Sequence, residues 1–65
     1  MKQIVLTADA TCGVDAKVGD HIPAGRRIGV QTETGKPLIA PQSGAVSEII
    51  FDPDRHEFRI VIDVV

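Results

Sequence analysis

The side chains able to do chemistry in this 65-residue chain are one thiol, two imidazoles, a group of carboxylates and an adjacent pair of guanidinium groups. Cys12, followed by Gly13, becomes a nucleophile only as its thiolate, which needs nearby positive charge or a helix N-terminus. No base adjoins it in sequence, so it reads as a small residue at a turn. His21, His56 and Cys12 are residue types that hold zinc, with Asp20 or Asp54 as further ligands to hand. Structural zinc sites use about four ligands, usually in close pairs. No such pair is present, so no metal site is expected. Asp52, Asp54 and Glu57 are the types needed for acid–base work. An Asp-rich stretch around a proline is more simply a turn, and Arg55 and Arg59 stand close by to neutralise it. Glu57 and Arg59 share one face of an extended strand, which predicts a surface ion pair of at most ~1 kcal/mol. Arg26-Arg27 could touch a phosphate or an acidic surface. Phosphate loops, nucleophile elbows and dinucleotide fingerprints are absent. No catalytic residue and no cofactor are therefore expected.

Composition narrows the setting. Acids outnumber bases 9 to 7, and aromatic residues make up 3%. Nucleic-acid surfaces want clustered Lys/Arg and stacking rings, so no nucleic-acid partner is expected. No apolar run approaches the ~18 residues of a membrane-spanning helix, and the charge pattern of a signal peptide is absent. One cysteine cannot form an internal disulfide, which points to a reducing, cytoplasmic location. The length suits a single domain over residues 1–65. A chain this short buries only ~60% of its unfolded surface. Docking onto a larger protein partner or self-association is in keeping with that.

The elements that must position these residues are strands. Ile and Val number 16 against 2 Leu, and β-branched side chains suit a pleated surface. Gly and Pro together number 10 and are spread along the chain. The pattern predicts an all-β domain of six or seven short strands in two sheets. Strands are expected over residues 2–8, 27–32, 38–40, 45–51 and 56–65, with a short one over 14–18. Gly29 suits a bulge or a close backbone approach. Ile49-Ile50-Phe51 breaks the alternation, so a bulge or a doubly covered strand is expected there. The predicted core is Ile4, Leu6, Val18, Ile22, Ile28, Val30, Leu38, Val46, Ile50, Ile60 and Ile62, with Phe58 closing one end. The C-terminal strand reads as an edge that invites pairing with another chain, a route to a homo-oligomer.

Two stretches carry a resemblance. Val18-Gly19-Asp20-His21-Ile22-Pro23-Ala24-Gly25-Arg26-Arg27-Ile28 is followed by Ile39-Ala40-Pro41-Gln42-Ser43-Gly44-Ala45-Val46. Together they resemble the biotinyl/lipoyl-type barrel-sandwich hybrid family, whose members carry V-x-x-G-D-x-V-x-x-G-x-x-L/I, a hairpin, then I-x-A-P-x-S-G-x-V. The physics fits: Gly19-Asp20 turns the chain, Gly25 allows a second corner, and Pro41, Ser43 and Gly44 form the turn that opens the second half. The resemblance spans roughly residues 14–50 and implies a small barrel-sandwich hybrid.

Carrier members of that family present a modified lysine at the hairpin tip, in an M-K-M or D-K-A setting. Here the hairpin reads Thr32-Glu33-Thr34-Gly35-Lys36-Pro37, and Lys36 sits between Gly and Pro. Pro37 removes a donor and restricts Lys36 to extended conformations. The wording is closer to non-carrier domains of sodium-translocating and Rnf-type electron-transport subunits, where the domain is a structural or docking element. The resemblance thus implies a non-catalytic binding or docking module in a larger complex. The alternative it implies is a biotin- or lipoyl-type carrier modified on Lys36. A small ligand- or metal-binding protein and a bare fold fragment are the remaining options.

Overall fold

A computed structural model of the chain describes residues 2–64. It holds six strands: β1 (Lys2–Asp9), β2 (His21–Ile22), β3 (Arg27–Val30), β4 (Pro37–Ile39), β5 (Gly44–Asp52) and β6 (Glu57–Val64). There is no helix among the described residues, hence none long and apolar enough to cross a membrane. The all-β expectation holds. The short strand expected over residues 14–18 is not formed, and His21–Ile22, read as part of a corner, is a strand instead. Residues 14–18 lie in the connection from β1 to β2 and bond to β3 at one point, where Asp15 N donates to Ile28 O at 2.9 Å. Asp20 closes the end of this segment. Its carboxylate accepts from Lys17 N at 3.0 Å while its own N–H donates to Lys17 O. A closed turn there leaves no length for a ladder.

Four strands form one antiparallel sheet in the order β1-β6-β5-β2, and β3-β4 form a second. The C-terminal strand is therefore interior. Lys2 and Gly44 both face Val64, and Asp9 and Asp52 both face Glu57. The expected exposed edge at β6, and with it self-association through that strand, does not stand. The N-terminal strand has taken the position, because its alternation matches that of β6 over eight uninterrupted pairs. Val65 lies outside the described residues.

Two register shifts shape the core. Between Val46 and Glu48 the pairing with β6 slips by one, leaving Ser47 as the extra residue of a bulge. Before the bulge Val46 faces Ile62; after it Ile49 faces Ile60. This accounts for the broken alternation at Ile49-Ile50-Phe51. It also turns Ile50 outward, 39% exposed, against the expectation of a core residue. The second shift lies between Arg27 and Gly29 in β3, at the position where a bulge or close approach was expected. A Cβ at Gly29 would lie 3.1 Å from the Cβ of Ala8, so the two layers touch here.

The core consists of Ala8, Ile22, Ile28, Leu38, Ala40, Val46, Ile60 and Ile62, with Ile4, Leu6, Val14, Ala16 and Ile49 packed against it. Six of the predicted core residues are buried, five of them fully, and Ile4 and Leu6 are partly so. Val30 is half-buried. Val18 is 62% exposed because it sits in the irregular connection rather than in a strand. Ala8 and Ala40 were not anticipated. Ala8 lies where the two sheets approach at Gly29, and period-2 patterning does not weight alanine.

Candidate functional site

The β3–β4 hairpin carries Lys36, the one residue singled out for modification. Its turn is locked from several directions. Gln31 N donates to Lys36 O at 2.8 Å, and Gly35 N donates to Gln31 O at 3.0 Å. Gly35 has φ +69°, a left-handed conformation that glycine adopts without a Cβ penalty. Thr34 Oγ1 donates to Gln31 Oε1 and accepts from Lys36 N, both at 3.2 Å, and Gln31 Nε2 donates to Pro37 O at 3.2 Å. The bend itself is Thr32-Glu33-Thr34. Lys36 therefore stands on the shoulder of the hairpin, not at its apex. Its backbone is fixed and its side chain exposed.

The hairpin tip is tied to the large sheet. Thr32 Oγ1 donates to Glu57 Oε2 at 3.1 Å, and Glu57 is only 9% exposed. The expected Glu57–Arg59 ion pair is not formed. Arg59 Nη1 lies 3.9 Å from Asp52 Oδ2 instead, across the strand pair. Glu57 is drawn to the threonine hydroxyl because it is covered, and a covered carboxylate needs a hydrogen-bond donor. Thr32→Val should remove that donor and cost about 1–2 kcal/mol. At ~4–8 °C per kcal/mol for a domain of this size, thermal melting would show it, while Thr32→Ser, which keeps the hydroxyl donor, should retain most of the wild-type stability.

The turn residues of the two motif halves meet in space. Ala24 N donates to Ser43 Oγ at 3.0 Å, Gly25 N to Ala40 O at 2.8 Å, and Ala40 N to Arg26 O at 2.9 Å. Gly19 N donates to Val46 O at 2.8 Å, and Val46 N to Asp20 O at 2.9 Å. Gly19 and Gly25 have φ of +95° and +90°. Gly19, Asp20, Gly25, Ser43 and Gly44 thus form one hydrogen-bonded seam between β2, β4 and β5, with Pro41 exposed beside it. Gly44 is required for a further reason: a Cβ there would fall on the Asp63 carbonyl oxygen and 2.6 Å from Ile62 Cγ2.

The other chemical candidates are dispersed. Cys12 is exposed in a turn in which Cys12 N donates to Asp9 O and Thr11 N to Asp9 Oδ1. His21 lies exposed in β2, and His56 in the β5–β6 turn at φ +53°. Among the described residues no three His, Cys, Asp or Glu converge as a metal-binding group. Asp52 Oδ1 accepts from Asp54 N at 3.0 Å and Arg55 N at 3.3 Å, so this carboxylate shapes its own turn. The arginine pair is engaged with the chain itself: Arg26 Nη2 donates to Asp15 O at 3.3 Å and Arg27 Nε to Gly29 O at 3.5 Å.

One feature escaped sequence reasoning. Phe51 and Phe58 pack with ring centroids 5.4 Å apart, and His56 meets Phe51 edge-on at 6.0 Å. Phe51 remains 48% exposed. Phe58 is half-buried against it rather than closing the core alone. The signal was there in outline: the chain's two aromatic residues flank one turn. Comparison of the chain with family models, with curated proteins and with solved structures returned no match.

Proposed function

We propose that the chain is a non-catalytic docking module of biotinyl/lipoyl-like build that works inside a larger protein assembly. The observation that carries this reading is the placement of the aromatic residues. The core is wholly aliphatic, while both phenylalanines sit at the end of the β5–β6 hairpin, with Phe51 half exposed beside His56. Aromatic side chains on an accessible surface are the usual anchors of protein interfaces. The layered arrangement of a curled four-stranded sheet and a two-stranded one, joined by the two-part turn seam, supports the barrel-sandwich hybrid reading. A tagged chain at native level in its own cells should travel at a mass well above that of its own oligomer. Phe51→Ala, at an exposed site, should return it to its own mass with the fold intact. Wild-type chain that elutes alone would sink the docking reading.

The second reading is a carrier modified on Lys36. It is favoured by the exposure of that lysine on a rigid hairpin, and weakened by its place on the shoulder between Gly35 and Pro37. Intact mass of the protein from its native cells, with peptide mapping around Lys36, decides it. A biotin- or lipoyl-sized addition on Lys36 would establish a carrier; an unmodified lysine leaves the docking module.

A further inference from the structure

We infer that two copies of this chain pair through β1, forming a sheet that runs continuously across a two-fold axis at Val5. This goes beyond the docking reading and uses a different surface from the aromatic end. Strand edges expose unpaired N–H and C=O groups, and proteins blunt them with short strands, prolines, bulges or charges. The other edges here are blunted. β2 is two residues long and runs into Pro23. β4 opens on Pro37 and is followed by Pro41, and β3 is met by Asp15 N at Ile28 O.

β1 has none of these protections. It is eight residues long, with no Gly, no Pro and no bulge against β6. Its only charges are at its two ends, Lys2 and Asp9. Apart from the β6 ladder, residues 3–8 have no main-chain bond among the described residues. Val5 stands at 57% exposure near the middle of this edge.

The sequence of the edge names a second copy as the occupant. In an antiparallel pair, residues directly opposite must point to the same face, so odd residues meet odd and even meet even. Centred on Val5, the two copies set Val5 against Val5, Gln3 against Thr7, and Ile4 against Leu6. These three central pairs are like with like on both faces, the kind that stabilises a sheet, and only at the ends of the ladder does Lys2 stand against Ala8. Gln3 Nε2 already donates to Asp63 Oδ1 at 2.7 Å, which leaves the Gln3 carbonyl oxygen free to accept from the partner's Thr7 hydroxyl. Centred on Leu6, the same edge would set Val5 against Thr7 and Gln3 against Asp9, mixing apolar with polar and adding a charge.

Sedimentation from micromolar to millimolar concentration should show a dimer. Val5→Lys puts two ammonium groups face to face and should raise the dissociation constant about tenfold or more. Val18→Lys, at a valine exposed elsewhere, should leave it unchanged. The register is tested in a Cys12→Ser background. Val5→Cys should cross-link on oxidation, since opposed Cα atoms at ~4.5–5.5 Å are within disulfide reach. Thr7→Cys should not, since its two copies would stand four residues apart, ~13 Å. A monomer at every concentration, a dimer indifferent to Val5→Lys, or a link through Thr7→Cys in place of Val5→Cys overturns the inference. The cross-linking pair keeps it falsifiable even if the lysine variant fails to fold.

Discussion

Gly44→Ala should leave the chain without a cooperative fold, or melting far below the wild type. The expectation rests on space rather than on backbone freedom, for Gly44 is not among the glycines with positive φ. It lies in β5 between Ile22 of β2 and Val64 of β6, paired on both sides. An added methyl would fall on the Asp63 carbonyl oxygen, a backbone atom of the neighbouring strand. A flexible side chain can swing away from such a group, but a paired strand cannot without parting from its neighbours. Overpacking of this kind costs about 3 kcal/mol or more. A 65-residue domain holds only roughly 3–10 kcal/mol in all. A loss of at least ~12 °C in melting temperature follows. Circular dichroism against temperature checks it. Gly25→Ala is the comparison: nothing lies within 4 Å of a Cβ there, so only the strain of its left-handed conformation is felt.

The second large effect sets two isoleucines side by side. Ile60→Ala should cost about 2–5 kcal/mol, and Ile50→Ala less than about 1 kcal/mol. Ile60 is fully buried, the β6 partner of Leu6 on one side and Ile49 on the other. Truncating it opens a cavity between neighbours that both sheet ladders hold in place. Ile50 is one residue along β5 from Ile49, yet it faces Arg59 on the outer side. The extra residue Ser47 decides which of the two isoleucines is inside. Chemical denaturation of both variants should separate their midpoints widely; equal losses would mean that the bulge is misplaced.

What could be read from the residues alone is strand content, not strand neighbourhood. Alternation over residues 2–8 and 56–65 is clean, and β1 and β6 lie where that pattern put them, except that His56 belongs to the preceding turn and Val65 lies outside the described residues. Turns at Gly19-Asp20, Gly25 and Gly35 were legible because a left-handed residue leaves a glycine in the sequence. The central place of β6 was not, because it depends on a pairing with β1 some sixty residues away. Nor was the bulge residue itself: a broken alternation says that a slip exists, and only the partner strand says that Ser47 takes it up. At the site, the hairpin and Lys36 were legible. The hold of Thr32 on Glu57 was not, since alternation along β6 placed Glu57 on the face opposite Ile60 and Ile62. The exposure of Phe51 was not legible either: with the alternation broken at Ile49-Ile50-Phe51, the side on which Phe51 falls depends on the slip that Ser47 takes up.

Closure of the large sheet by its first and last strands also governs the order of assembly. β5 and β6 are joined by a tight turn and can zip together locally. β1 must be brought across nearly the whole chain before it gains a single ladder bond, and loop-closure entropy has to be met first. A chain dominated by such non-local pairing folds slowly for its size, on the millisecond-to-second scale typical of small β barrels and sandwiches rather than the microseconds of helical bundles. During synthesis the first strand leaves the ribosome with no partner in existence. It waits, unpaired and with Ile4, Leu6 and Ala8 on one face, until β6 has been made.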